Sequence, residues 1–163
     1  MPDLSSLAAT VGALLKERQE TIAVAESAAG GLISAALVAI PGASAYYVGG
    51  AVVYTGVSRQ SLLRVPERAM AGLRASSEPY AQLNARSVRE LLGATWGLSE
   101  TGASGPTGNR YGDSAGHACI AVAGPVERAV TIETRAADRE ANMWAFARAA
   151  LHLLEQCLRE AAK

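Results

Sequence analysis

Aromatic side chains are scarce in this chain, with one Phe, two Trp and five Tyr among 163 residues. That is too few to suggest the stacking platform on which single-stranded nucleic acid is held. Charge is thin as well: 15 basic residues balance 15 acidic ones, and charged residues make up 18% of the chain, where an average domain has about 25%. A chain with no net charge lacks the electropositive footprint of a nucleic-acid binder, so nucleic acid is not an expected partner. No apolar run reaches the roughly 20 residues of a membrane span. The opening MPDLSSLAATVGALLKERQE has neither the basic start nor the small-residue cleavage site of a secretory leader. A cytoplasmic protein that meets no membrane is therefore expected.

Cysteine is nearly absent. Cys119 lies in an apolar strand-like run and Cys157 in a helical pattern, without CxxC or disulfide-framework spacing, so both are expected as buried thiols. His117 and Cys119 alternate onto one strand face, while His152 and Cys157 fall on the last helix with no carboxylate cluster nearby. Four ligands at tight spacing are missing, and no metal is expected.

What the chain does have is apolar substance: half its residues are hydrophobic. Its length suits one domain, residues 1–163, with a real core. Ala-rich helices with few charges suit packing between subunits, so a homo-oligomer is expected. Leu4, Leu7, Ala8, Val11, Leu14 and Leu15 recur at helical spacing after Asp3, a candidate N-cap. A strand TIAVAE leads through a glycine turn into a helix from about Ala29 to Ala39, stopped by Pro41 and Gly42. YYVGGAVVYT, residues 46–55, reads as a strand whose Gly-Gly pair marks a bulge or a close backbone approach. SRQSLLRV forms a short helix before Pro66, and Glu78–Leu92 a longer one with Pro79 in its first turn and Gly93 beyond its end. Strands are expected at 94–101, 117–123 and 128–134, with a Gly/Ser/Asn/Pro-rich loop between the first two. The closing helix, N-capped by Asp138, places Met143, Ala147, Ala150, Leu151, Leu154 and Leu158 on one face. This order predicts an α/β fold, a layered α/β/α domain around a central mixed sheet.

In such sheets ligands collect at the carboxyl ends of strands, where helix N-termini offer free amides. Three loops fit: 26–31, with Glu26, Ser27, Gly30 and Gly31; 54–58, with Tyr54 and Thr55; and 101–108, with Thr101, Gly102, Gly105 and Gly108. Together they could form one polar, amide-lined pocket. Neither GxxxxGKS/T, GxGxxG nor GxSxG occurs. Local sequence first reads Ser27 as the N-cap of the second helix, a role compatible with nucleophilic attack beside amides that stabilise an oxyanion. No histidine stands in these loops to serve as base, so Tyr54, a lysine or an unusual partner would have to. Tyr54 otherwise reads as a half-buried strand tyrosine and Thr101 as a turn residue. Arg139 opens the last helix, where the dipole disfavours a cation; it points to an anionic partner, or else to a salt bridge with Asp138 or Glu140.

AESAAGG at 25–31, IPGASAYYVGGAVVYT at 40–55, TGASGPTG at 101–108 and DREANMWAFARAAL at 138–151, in this order and at these separations, resemble the C-terminal domain of the CinA family. That family includes nicotinamide-nucleotide amidases, and the likeness runs from about Ser5 to Glu160. It implies hydrolysis of the carboxamide of nicotinamide mononucleotide to nicotinate mononucleotide and ammonia, with a small-molecule nucleotide as partner and no cofactor. The family's nucleophilic serine falls on Ser27, its strand-end tyrosine on Tyr54, its hydroxyl before the glycine loop on Thr101 and its helix-opening arginine on Arg139. By that likeness Ser27 attacks the amide carbonyl, Tyr54 assists proton transfer, loop amides hold the oxyanion, and Arg139 meets a phosphate or carboxylate.

The chain also departs from the family pattern. ESCTGG is here ESAAGG, so Ala28 and Ala29 replace Cys and Thr; YSNEAK is here YTGVSR, so Arg59 replaces a lysine; GPGGGTPEKPVGT is here GPTGNRYGDSAGH. An arginine keeps its proton at any working pH and cannot replace a lysine base, though it can orient an anion. Beside the amidase, these departures leave two alternatives: a non-catalytic nucleotide-binding or regulatory domain that keeps the pocket, and an amidase for a different amide or nucleotide.

Overall fold

A computed structural model describes residues 2–162. Five strands form one sheet in the order β2-β1-β3-β4-β5: β1 (Ile22–Glu26), β2 (Tyr47–Val52), β3 (Trp96–Ala103), β4 (His117–Ala123) and β5 (Arg128–Glu133). The strand β1 pairs in parallel with both β2 and β3, and β3, β4 and β5 run antiparallel to one another. The sheet is mixed, as expected.

Alternation along the strands sorts their side chains onto two faces. Ile22, Val24, Trp96, Leu98, Ala118, Ile120 and Val122 join one buried cluster with α1 (Pro2–Arg18), α2 (Leu32–Val38) and α5 (Arg139–Ala161). Ala23 and Ala25 of β1 and Cys119, Ala121 and Ala123 of β4 point the other way, beneath α3 (Gly56–Leu63) and α4 (Glu78–Leu92). One face is built of large side chains and the other of small ones that let α4 lie close. The three layers are those the sequence predicts.

Most elements lie where expected, and the differences have local causes. Ser77 N-caps α4 and Gly93 closes it in the left-handed region; Asp138 caps α5 by accepting from the Ala141 amide at 3.1 Å. The expected bulge is present, since Ile22 pairs with Tyr47 but Ala23 with Gly49, leaving Val48 as the extra residue. At Gly50 a Cβ would stand 2.5 Å from the Val24 carbonyl oxygen, so only glycine fits. Along α5, Met143 is half-buried while the other five expected core positions are buried. Because α1 begins at Pro2, Asp3 is already inside it, and the Asp3 side chain lies outside the described residues. Finally, α2 begins at Leu32 rather than near Ala29, which bears directly on Ser27.

Candidate functional site

The carboxyl ends of the parallel strands β2, β1 and β3 lie side by side, with β1 leading through α2 to β2 on one side of it and β2 leading back through α3 and α4 to β3 on the other. That is where an open α/β sheet leaves its crevice. A cleft of about 680 Å³ opens there, and Ser27, Tyr54, Arg59 and Thr101 all line it. Ser27 follows β1, Tyr54 follows β2 with Arg59 in the helix α3 just beyond it, and Thr101 lies near the end of β3, so the sheet itself gathers what the sequence keeps apart.

The turn from Ser27 to Gly31 differs from expectation. Ser27 does not cap α2: the N-cap is Gly31, at φ 106° and with no side-chain cap of its own. Capping falls to Glu26, fully buried, whose Oε1 accepts the Gly31 and Ile33 amides at 2.9 and 3.1 Å and whose Oε2 accepts that of Ser34 at 2.9 Å. A carboxylate at a helix N-terminus is favoured by both hydrogen bonding and the dipole. Glu26 is thus a support beneath the site and not a group presented to a ligand.

A second buried carboxylate was not anticipated. Glu100 on β3 shares the face of Trp96 and Leu98, and its Oε1 accepts the Ser27 and Ala29 amides, each at 2.9 Å. The Gly30 amide goes to the Ser27 carbonyl at 3.0 Å. The amides of this turn, expected to hold an oxyanion, are therefore drawn inward, and Gly30 and Gly31 offer none to the cleft. Burial pushes the Glu100 carboxyl up to about 7, against the pull of the Ala29, Ser27 and Ala28 amides, with the nearby Glu26 charge raising it further. The signal in the sequence was an acid inside WGLSETGA, a run with no other charge.

Tyr54 stands 61% exposed, not half-buried, at the mouth of the cleft. Its hydroxyl accepts from Arg139 Nη2 at 3.0 Å, while Arg139 Nη1 donates to the Gly105 carbonyl at 2.5 Å. Arg139 so bridges Tyr54 to the glycine loop, and of the two alternatives read from the sequence the salt bridge with Asp138 or Glu140 is not found among the described residues. These two residues, with Gly102 and Gly105, line a smaller cavity of about 210 Å³ beside the cleft. Thr55 caps α3 in a reciprocal pair with Ser58.

Arg59 is buried, 6% exposed. Its Nη2 donates to Glu67 at 2.7 Å and its guanidinium lies 6.0 Å from the Tyr80 ring centre. Its Nε is buried without a partner among the described residues. Arg74 and Arg110 also line the cleft, and sequence reading missed both because they come from loops with no regular pattern. Arg74 is paired with Asp113 at 2.8 Å, and Arg110 lies 5.3 Å from the Tyr111 ring. Arg59 and Arg74 are thus each paired with a carboxylate, that of Glu67 also lining the cleft, and Arg110 is the lining guanidinium without a carboxylate partner among the described residues and the one best suited to meet an anion.

His117 and Cys119 do share a face, but His117 is already engaged, with Nδ1 2.6 Å from Glu133 and Nε2 2.8 Å from the Ser76 carbonyl. Among the described residues no cluster of three His, Cys, Asp or Glu side chains is placed to hold a metal, and no helix is long and apolar enough to cross a membrane.

The family model for the CinA C-terminal domain matches residues 4–158. A CinA-like protein of Synechococcus elongatus is 38% identical over 157 residues, covering 96% of this chain and 37% of the relative. One from Gloeobacter violaceus is 46% identical over 131 residues, covering 80% and 31%. The chain thus spans about a third of the length of these curated relatives. A solved CinA superfamily protein of Klebsiella pneumoniae 700603 superposes with a TM-score of 0.90 at 26% identity, covering 96% of this chain and 98% of that one. The competence damage-inducible protein A from another Klebsiella pneumoniae strain gives 0.89 at 28%, covering 96% and 97%. With fold, strand-end cleft and sequence in agreement, this chain belongs to the CinA family as a CinA C-terminal domain.

Proposed function

We propose that the cleft hydrolyses the carboxamide of a nucleotide, nicotinamide mononucleotide being the first substrate to try, through Ser27. The observation that carries this reading is that Ser27, Tyr54 and Thr101 line one cleft with Arg59 and Arg110, hydroxyls beside cations that suit a phosphate. Ser27 Oγ attacks the carbonyl carbon, the C–N bond breaks to release ammonia, and water then opens the acyl-enzyme. Arg139 donates to the Tyr54 oxygen and so fixes the direction of its hydroxyl, and in a concerted relay Tyr54 passes its proton to the departing nitrogen as it takes up that of Ser27. With the amides of the Ser27 turn drawn inward, oxyanion support would come from Thr101 and the 102–108 loop across the cleft. The same reading takes the working unit as a cytoplasmic homo-oligomer, which light scattering and cell fractionation check.

A second reading, a nucleotide-binding domain without turnover, is favoured by one observation: Ser27 Oγ has no hydrogen-bonded base among the described residues. Ammonia release from nicotinamide mononucleotide by wild type and Ser27→Ala separates the two. Release that disappears in the variant supports the amidase. No release by either, together with a thermal shift on adding the nucleotide, supports the binding domain; release only from other amides moves the substrate and keeps the nucleophile.

A further inference from the structure

Glu100 has no part in the chemistry proposed above, yet its placement is specific. It lies between Ser99, whose hydroxyl donates to the Ala81 carbonyl on the α4 side, and Thr101, which faces the cleft. Glu100 itself points to the opposite face and is fully buried, 1% exposed. Its Oε1 holds the amides on either side of Ala28, and its Oε2 has no partner among the described residues. A buried carboxylate oxygen without a donor is costly, and packing alone would be served by an aliphatic side chain. Glu26 fastens the turn only from Gly31 onward. The first half of the turn, which carries Ser27, is tied from below by Glu100.

We propose that Glu100 is a positioning residue for Ser27: its carboxylate draws the Ser27 and Ala29 amides inward and so presents Ser27 Oγ to the cleft, and taking up a proton loosens that hold. Hydrogen bonds from amides to a carboxylate are roughly twice as strong as those to a neutral acid, so losing the charge weakens both. With its carboxyl pushed up to about 7, Glu100 changes charge near neutral pH. On β1 the group facing it is Glu26, whose charge opposes its ionisation. On β4 it is paired with Ile120. The buried side chains of α2 (Ile33, Ala36 and Leu37) and those of α5 nearest the site (Asn142, Phe146 and Ala147) carry no charge.

The link to turnover rests on the proposed role of Ser27; the link between Glu100 and the turn does not. Amide NMR resonances of Ser27 and Ala29, followed across about pH 5 to 9, are expected to titrate together with a midpoint near 7 in wild type and to stay flat in Glu100→Gln. In the ammonia assay kcat/KM is expected to fall by up to about tenfold per pH unit below that midpoint. Glu100→Gln, which carries the neutral acceptor of the protonated acid at every pH, should lose this limb and stay flat at the reduced level that wild type reaches on the acid side, so that its deficit is largest at about pH 8 and vanishes toward about pH 5. Wild-type amides that do not titrate, or that titrate equally in the variant, overturn the proposal, as does an acid limb that persists in Glu100→Gln. A wild type that releases no ammonia while its amides titrate removes the amidase reading and leaves the positioning role. If Glu100→Gln does not fold, the wild-type amide titration decides alone.

Discussion

Arg139 makes two contacts through one guanidinium group, one to Tyr54 and one to the Gly105 carbonyl. Arg139→Ala should therefore free Tyr54, already 61% exposed, and lower kcat/KM for amide hydrolysis by about 10- to 1,000-fold, the range for a misplaced proton donor or anion contact. The thermal midpoint should barely move, because the pair is peripheral to the core. Steady-state kinetics beside a melting curve checks both. Glu100 gives the opposite kind of prediction. Its carboxyl is raised from 4.5 to about 7, so between those values the folded chain holds a proton that the unfolded chain releases, and stability falls as pH rises through that window. The loss is on the order of 3 kcal/mol. Urea unfolding at pH 5 and at about pH 8 should show this slope in wild type and a flatter one in Glu100→Gln.

At the scale of elements, the start of α2 shows what a side chain from the preceding strand can do. Glu26 satisfies three amides, so Glu26→Ala leaves buried donors unpaired and should cost about 3 kcal/mol or more in chemical denaturation, whereas Asp138→Ala, a single exposed cap, should cost about 1. The helix α4 was legible in the sequence to the residue, because Pro79 and Gly93 are local signals. The convergence of Ser27, Tyr54 and Thr101 was legible as strand ends. The direction of the Ser27 turn was not: Ser27 has the chemistry of an N-cap, and its amide is taken instead by Glu100, 73 residues away. Arg74 and Arg110 stayed hidden for a similar reason, since irregular loops carry no period from which a facing can be read.

For the whole molecule, the sheet divides its labour. The parallel half, β2-β1-β3, ends in the cleft, while β4 and β5 extend β3 and present His117 to the loop that walls the cleft at Ser76. The central strand β3 belongs to both halves, so Leu98→Ala, at a fully buried position, should cost about 2–5 kcal/mol and lower the stability of the entire domain in one transition. Burial pulls the His117 imidazole down, but the Glu133 hydrogen bond, the Ser76 carbonyl and the Asp113 and Glu133 charges raise it overall. Its contribution is present in full below pH 6.5 and is lost as pH rises through the higher folded-state value. His117→Ala should accordingly lose more stability at pH 5.5 than at about pH 8.

Glu100 and His117 thus pull in the same direction, and the turn beneath Ser27 pulls in the other. Heat and denaturant are best resisted on the acid side of neutrality, where Glu100 keeps its proton and Ser27 is held least firmly. On the proposed amidase reading, turnover would be greatest on the alkaline side, where tolerance to heat is smaller. One carboxyl group would then set durability against turnover, and a preparation kept slightly acidic in storage should outlast one kept on the alkaline side.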